Sequence, residues 1–172
     1  ANVLSRRINT RDRASSVLFA DAAGAAVLAP SLRPDAGIIG AHLAAKGSRY
    51  DLIHIPGGGS RKPFGSLTDA ADTLMVISDG QAVFSEAIDM LSGAARRALD
   101  KAECHAADVS RFIPHQANAR LIGKVAHKLA IPAERMLSSI GEFANSSAAT
   151  IPFTLSRDVA ERPLSEGETL LM

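Results

Sequence analysis

Cysteine is almost absent: there is one, Cys104, in 172 residues. A single thiol excludes an internal disulfide framework and any metal site built from several cysteines, and it suits a reducing compartment. Tryptophan is missing, and one Tyr with six Phe leaves aromatics at 4%, too few for a platform on which bases stack. Charge of one sign is lacking too. The 19 basic and 18 acidic residues give a formal net charge of +1, which excludes a globally basic nucleic-acid binder. No apolar run reaches the roughly 18 residues of a membrane span, and the polar opening ANVLSRRINTRDR is no signal peptide. The expected setting is the cytoplasm, with no membrane and no nucleic acid as partner.

What is present is apolar but small: 47% of residues are hydrophobic, 31 of them Ala. Small side chains let helices sit close against a sheet. The length fits one domain, which at this size buries roughly 70% of its unfolded surface.

Strand-like and helix-like segments alternate along the chain. SSVLFADAAGAAVL (15–28) predicts two adjacent strands or a hairpin around Asp21, and GIIGAHL (37–43) a third strand. Lys46 to Asp72 carries five Gly and two Pro, including PGGGSRKPFGS, and reads as loop. From Asp79 to Lys101, residues Phe84, Ala87, Ile88, Leu91, Ala95 and Leu99 follow the spacing of one buried helix face. RFIPH (111–115) predicts a strand, Gln116 to Ala130 a helix, MLSSI (136–140) a strand, Ser146 to Glu161 a helix, and ETLLM (168–172) a last apolar strand. The pattern is that of an α/β domain with helices on a largely covered sheet. The chain starts in charged sequence without Met and stops inside an apolar run, which suggests a piece of a longer protein.

Two strand-to-helix junctions collect polar side chains: Ile113 to Asn118, with His115 and Gln116, and Gly141 to Ala149, with Asn145. Such junctions bind ligands because helix N-termini offer free N–H groups. A His and an Asn converging there could donate two hydrogen bonds to one developing oxyanion. Asn and Ser before a helix also serve as ordinary N-caps, and a His at a strand end as a structural hydrogen-bonding group. Spacing alone leaves both readings open.

FIPHQANARLI (112–122) resembles the His motif of the β-ketoacyl-acyl-carrier-protein synthase III family, and ANSSAATIPFTL (144–155) its Asn motif. LFADAAGAAVL (18–28) and DGQAVF (79–84) are similar to two further family segments, in the family's order. The resemblance implies a thiolase-like α/β fold with a mixed sheet covered by helices, residues 1–172 forming the C-terminal half. It implies an N-terminal half bearing the nucleophilic Cys, a final glycine-rich strand that is absent here, and a homodimer. The implied activity is decarboxylative Claisen condensation of an acyl group from acyl-coenzyme A with malonyl-acyl-carrier protein, in fatty-acid or related biosynthesis. His115 and Asn145 would bind the thioester oxygen, and Asn118 and Gly80 would meet the pantetheine arm. Arg120, Lys124 and Lys128, spaced four apart on one helix, would dock the acidic carrier protein. No metal or redox cofactor is implied; coenzyme A and phosphopantetheine serve as substrate carriers.

The chain departs from the family pattern in places. Cys104, in KAECHAADVS, is far from both motifs and reads as a surface or packing thiol, so the isolated chain is expected to lack condensing activity. Ala20, Ala22 and Ala144 stand where the family commonly has Gly. Ser78 and Ser85 differ as well, and PGGGSRKPFGS is longer and richer in Gly than expected. Such changes leave room for two alternatives: a non-condensing carrier-protein-binding subunit, or an acyltransferase, on the same fold.

Overall fold

The computed structural model describes residues 1–33, 36–65 and 68–172. In chain order the α and β elements are α1 (Arg13–Ser16), β1 (Ile53–His54), β2 (Val76–Ile77), α2 (Gly80–Lys101), β3 (Arg111–Phe112), α3 (Ala119–Leu129), α4 (Ile140–Phe143), α5 (Thr150–Glu161) and β4 (Leu170–Leu171). Single 3-10 turns join several of them.

The helix α2 starts where its sequence provides a cap. Asp79, in extended conformation, accepts hydrogen bonds from the backbone N–H groups of Gln81 (3.0 Å) and Ala82 (2.9 Å), two donors that the first turn cannot satisfy internally. The helix ends where Glu103 takes φ +52° and Cys104 N–H returns to Leu99 O at 3.0 Å. Its predicted apolar face is the observed one. Leu99 is buried, while Phe84, Ala87, Ile88, Leu91 and Ala95 pack onto a core of Val109, Phe112, Leu121, Ile122, Val125, Ala126, Leu129, Ile131 and Leu171. Five of these core residues line the inner side of α3. Cys104 is a packing thiol at the edge of the same core.

Beneath α3, β3 is the middle of a short parallel array. It pairs with β4 in the register Arg111↔Leu170 and Phe112↔Leu171, and Phe112 bridges to Met136 on the other side. Arg111 through Pro114 are all buried, as expected for parallel strands covered on both faces. The other pair, β1 with β2, is antiparallel, with Ile53 opposite Ile77. The mixed strand directions are therefore distributed over two separate pairs.

Several predicted elements take another form. The 15–28 run makes single bridges, Phe19 with Asn145 and Ala22 with Asn2, in place of a strand pair. Gly24 there runs so close to α5 that a Cβ would lie 2.6 Å from the Pro152 ring. GIIGAHL is no strand either, because it lies along α2. A Cβ on Gly40 would sit 2.4 Å from Ala98 O, and Lys101 Nζ donates to Ala41 O at 3.0 Å. MLSSI contributes one bridge at Met136 and then turns into α4. The helix expected from Gln116 begins at Ala119, and the one expected from Ser146 opens with a 3-10 turn before Thr150. The Gly-rich loop holds β1 and two 3-10 turns; its Ser66 and Leu67 lie outside the described residues. Val27, Leu28, Ile38 and Leu43 are largely exposed.

Candidate active site

His115 follows the buried Ile113–Pro114 step directly, so the covered end of β3 aims it. Its ring is half-buried, with Nδ1 2.7 Å from the Thr150 hydroxyl. Burial pushes its pKa below the ordinary 6.5, against a weaker opposite pull from the Ser147 backbone. Burial thus favours the neutral ring. The neighbouring Gln116, fully buried, does not cap α3; Asn118 does. The Gln116 Nε2 donates to Pro114 O (2.8 Å) and Leu137 O (3.3 Å), and its Oε1 accepts from Ser139 N at 3.0 Å. It clamps the strand end to the following segment.

Asn145 enters through a backbone that side chains rarely adopt. Ala144 has φ +49° and ψ −163°, a region otherwise almost confined to Gly and costing of order 1–3 kcal/mol. The turn is over-determined around it. Asn145 N donates to Leu18 O at 3.1 Å, and Asn145 O accepts from Ala20 N at 2.9 Å. Ala144→Gly should therefore stabilise the protein by about 1 kcal/mol, strain relief exceeding the added chain entropy. Thermal unfolding of the full-length variant checks this, and a lowered Tm would contradict it.

The side chain of Asn145 is almost buried and its Oδ1 accepts from Ser147 N at 2.9 Å. That bond occupies the amide oxygen and leaves Nδ2 as the available donor. Ser147, at φ +56°, has its carbonyl 2.8 Å from the Thr150 hydroxyl that meets His115. One turn, 145–150, thus holds both candidate residues.

The other predicted positions lie outside this turn. Asn118 caps α3, its Oδ1 accepting from Arg120 N (2.9 Å) and Leu121 N (3.3 Å), which leaves its NH2 free. Gly80 opens α2, with open space where a side chain would stand. Arg120, Lys124 and Lys128 are all exposed on α3. Lys124 sits over the Phe84 ring at 5.5 Å, and Lys128 pairs with Asp89 at 2.6 Å. Among the described residues, none of the His, Cys, Asp and Glu side chains group as a metal site, and no helix is long and apolar enough to cross a membrane.

Residues 99–172 match the description "3-Oxoacyl-[acyl-carrier-protein (ACP)] synthase III C terminal", and residues 1–47 match "3-Oxoacyl-[acyl-carrier-protein (ACP)] synthase III". The chain belongs to the 3-oxoacyl-[acyl-carrier-protein] synthase III family. A 3-oxopimeloyl-[acyl-carrier-protein] synthase of Brucella abortus (strain 2308) is 47% identical over 171 residues, 99% of this chain and 52% of the relative. A protein of the same name from Rhodothermus marinus is 44% identical over 173 residues, all of this chain and 50% of that one. The crystal structure of 3-oxoacyl-(acyl carrier protein) synthase III from Pseudomonas aeruginosa PAO1 superimposes with a TM-score of 0.79 at 28% identity, covering 97% of this chain and 49% of that one. The synthase III chain thus spans about half the length of these relatives, and its fold is thiolase-like.

For this synthase III chain the motifs led to His115 and Asn145 but not to Ser147 and Thr150, which connect them. Two polar residues inside the Ala-rich ANSSAATIP were the available signal.

Proposed function

We propose that the chain is the C-terminal half of a decarboxylating condensing enzyme and supplies the groups that bind the malonyl thioester oxygen. The supporting observation is the single turn that holds both His115 and Asn145, with the Asn145 Nδ2 left free to donate. As malonyl-carrier protein loses CO₂, the electrons of the breaking C–C bond move onto the thioester, and charge develops on its oxygen. Two donors aimed at that oxygen in a water-poor site stabilise the enolate. The enolate carbon then attacks an acyl group held on a Cys of the N-terminal half. A C–C bond forms, the acyl C–S bond breaks, and the released thiolate regains a proton.

The arm carrying malonate runs past the free Asn118 NH2 and the open space at Gly80. The exposed Arg120, with Lys124 and Lys128 beside it, attracts the acidic carrier protein, an effect that speeds encounter and weakens with salt. Coenzyme A and phosphopantetheine are the only carriers required; no metal or redox cofactor takes part. The full-length enzyme works as a cytoplasmic homodimer.

The names of the two curated relatives narrow the substrate. A 3-oxopimeloyl product is a seven-carbon chain with a terminal carboxylate. Malonate contributes two carbons after losing CO₂, so the acyl partner is a five-carbon dicarboxylic group, glutaryl in type. The full-length protein, given malonyl-carrier protein and either glutaryl- or acetyl-coenzyme A, should form the seven-carbon product preferentially by intact mass of the carrier protein. Turnover of acetyl-coenzyme A alone would remove the dicarboxylate assignment, and absence of any condensation would remove the enzyme reading.

A further inference from the structure

The ladder between β3 and the segment around Met136 stops at a proline. Leu137 N donates to Phe112 O at 2.8 Å, and Phe112 bridges to Met136 in parallel. In a parallel ladder the next two rungs would run from the N–H of residue 114 to Leu137 O, and from Ser139 N to the carbonyl of residue 114. Residue 114 is Pro, which has no N–H to give. The carboxamide of Gln116 stands in both places. Its Nε2 donates to Leu137 O at 3.3 Å and to Pro114 O at 2.8 Å, and its Oε1 accepts from Ser139 N at 3.0 Å. These partners fix which end of the amide is which: carbonyls only accept and a backbone N–H only donates, so a flipped amide would lose all three bonds. One side chain thus holds the two segments apart by the width of an amide and satisfies the groups it separates.

Both candidate residues depend on that gap. His115 lies between Pro114 and Gln116 in the chain, and Gln116 N–H donates at 3.2 Å to the same Thr150 hydroxyl that His115 Nδ1 meets. On the other side, Ser139 O accepts from Phe143 N at 3.0 Å in α4, the short helix that ends at the strained Ala144 and delivers Asn145. Ser139 Oγ lies 2.7 Å from Thr154 Oγ1, which ties the same point to α5. Gln116 itself is 0% exposed and has no surface on which to meet substrate.

We propose that Gln116 is a positioning residue: its carboxamide, wedged into the ladder that Pro114 interrupts, sets the separation of His115 and Asn145. This rests on the reading of those two residues as the pair that binds the thioester oxygen. Groups aimed at one developing charge lose their effect steeply when misplaced, by about a hundredfold for an ångström. Stability alone would be served as well by a closed ladder.

The test compares Gln116→Met with the double variant Pro114→Ala, Gln116→Met in the full-length protein. Gln116→Met keeps the length of the side chain and removes its three hydrogen bonds. Pro114→Ala returns the missing N–H, so that in the double variant the two segments can pair directly. The single variant should lose Tm, and its kcat for malonyl-thioester decarboxylation should fall by about tenfold or more at little-changed KM. The double variant should regain Tm and stay slow, because the bonds are restored and the spacing is not. Recovery of kcat together with Tm would make Gln116 a structural residue only and overturn the proposal, as would a wild-type kcat in Gln116→Met. A double variant that is no more stable than the single one, or that does not fold, overturns the wedge and the proposal with it. If the wild-type protein decarboxylates nothing, the condensing reading falls, while the Tm comparison still decides the wedge.

Discussion

Changing His115 or Asn145 to Ala in the full-length protein is expected to slow malonyl-thioester decarboxylation by roughly 10²–10³-fold each, the usual effect of removing one oxyanion donor. The loss should fall on kcat, because the donors bind charge that exists only as CO₂ leaves. The double variant should lose much less than the product of the two, since both groups act on one oxygen. Asn145→Asp separates chemistry from architecture. It keeps an oxygen for Ser147 N, removes the Nδ2 donor and places negative charge beside the enolate, so it should be at least as impaired as Asn145→Ala while remaining folded. Transfer of the acyl group from coenzyme A, which does not pass through this enolate, should suffer less. Decarboxylation within about threefold of wild type in both Ala variants would end the donor assignment.

The largest stability effect is expected at Arg111. Its side chain is 1% exposed and pairs with Asp158 and with Glu168, the latter at 2.7 Å. It also donates to the carbonyls of Arg162 (2.7 Å) and Pro163 (3.1 Å). One guanidinium therefore joins β3 to the end of α5 and to the approach to β4. Burial works against its charge, but the two carboxylates outweigh this and raise its pKa. Arg111→Ala removes the shared cation from two carboxylates, leaving Asp158 with Arg162 and Glu168 with the Ser165 N–H, each at 3.3 Å, and deprives two carbonyls of a donor; it should cost about 3–5 kcal/mol, the range for breaking a buried pair from one side. Arg111→Lys should fall in between, because an ammonium cannot span the same fork of acceptors. Thermal unfolding of the full-length variants measures both, and a wild-type Tm for Arg111→Ala would refute the assignment. The sign with pH follows from Glu168, whose carboxyl the Arg111 hydrogen bond holds below its ordinary value near 4.5. Its contribution is complete above that value and is lost as pH falls through the depressed one.

Elements with a one-sided periodicity were legible in the sequence. The six apolar positions of α2 pack as their spacing predicts, because a long amphipathic helix needs only a core to lie on. The short extended runs were not. GIIGAHL has the composition of a strand, yet Gly40 lets its backbone lie against Ala98 O, a contact between segments that local pattern does not encode. In the same way, the sequence places Gln116 at a strand-to-helix junction, and only the positions of Pro114, Leu137 and Ser139 reveal it as a clamp. His115 and Asn145 were accessible through their motifs. The connection between them was not, since it begins with a contact between His115 and the Thr150 hydroxyl, 35 residues away.

The belt around Asn145 also bears on where the protein can be divided. Asn2 pairs its backbone with Ala22 and reaches Ser146 O through Nδ2 at 3.3 Å, while Leu18 and Ala20 hold Asn145 itself. Residues 1–22 contain no residue to which a chemical role is proposed. They are instead the outer strap of the turn that presents the Asn145 amide. A cut, tag or linker placed there reaches the site as surely as a substitution within it.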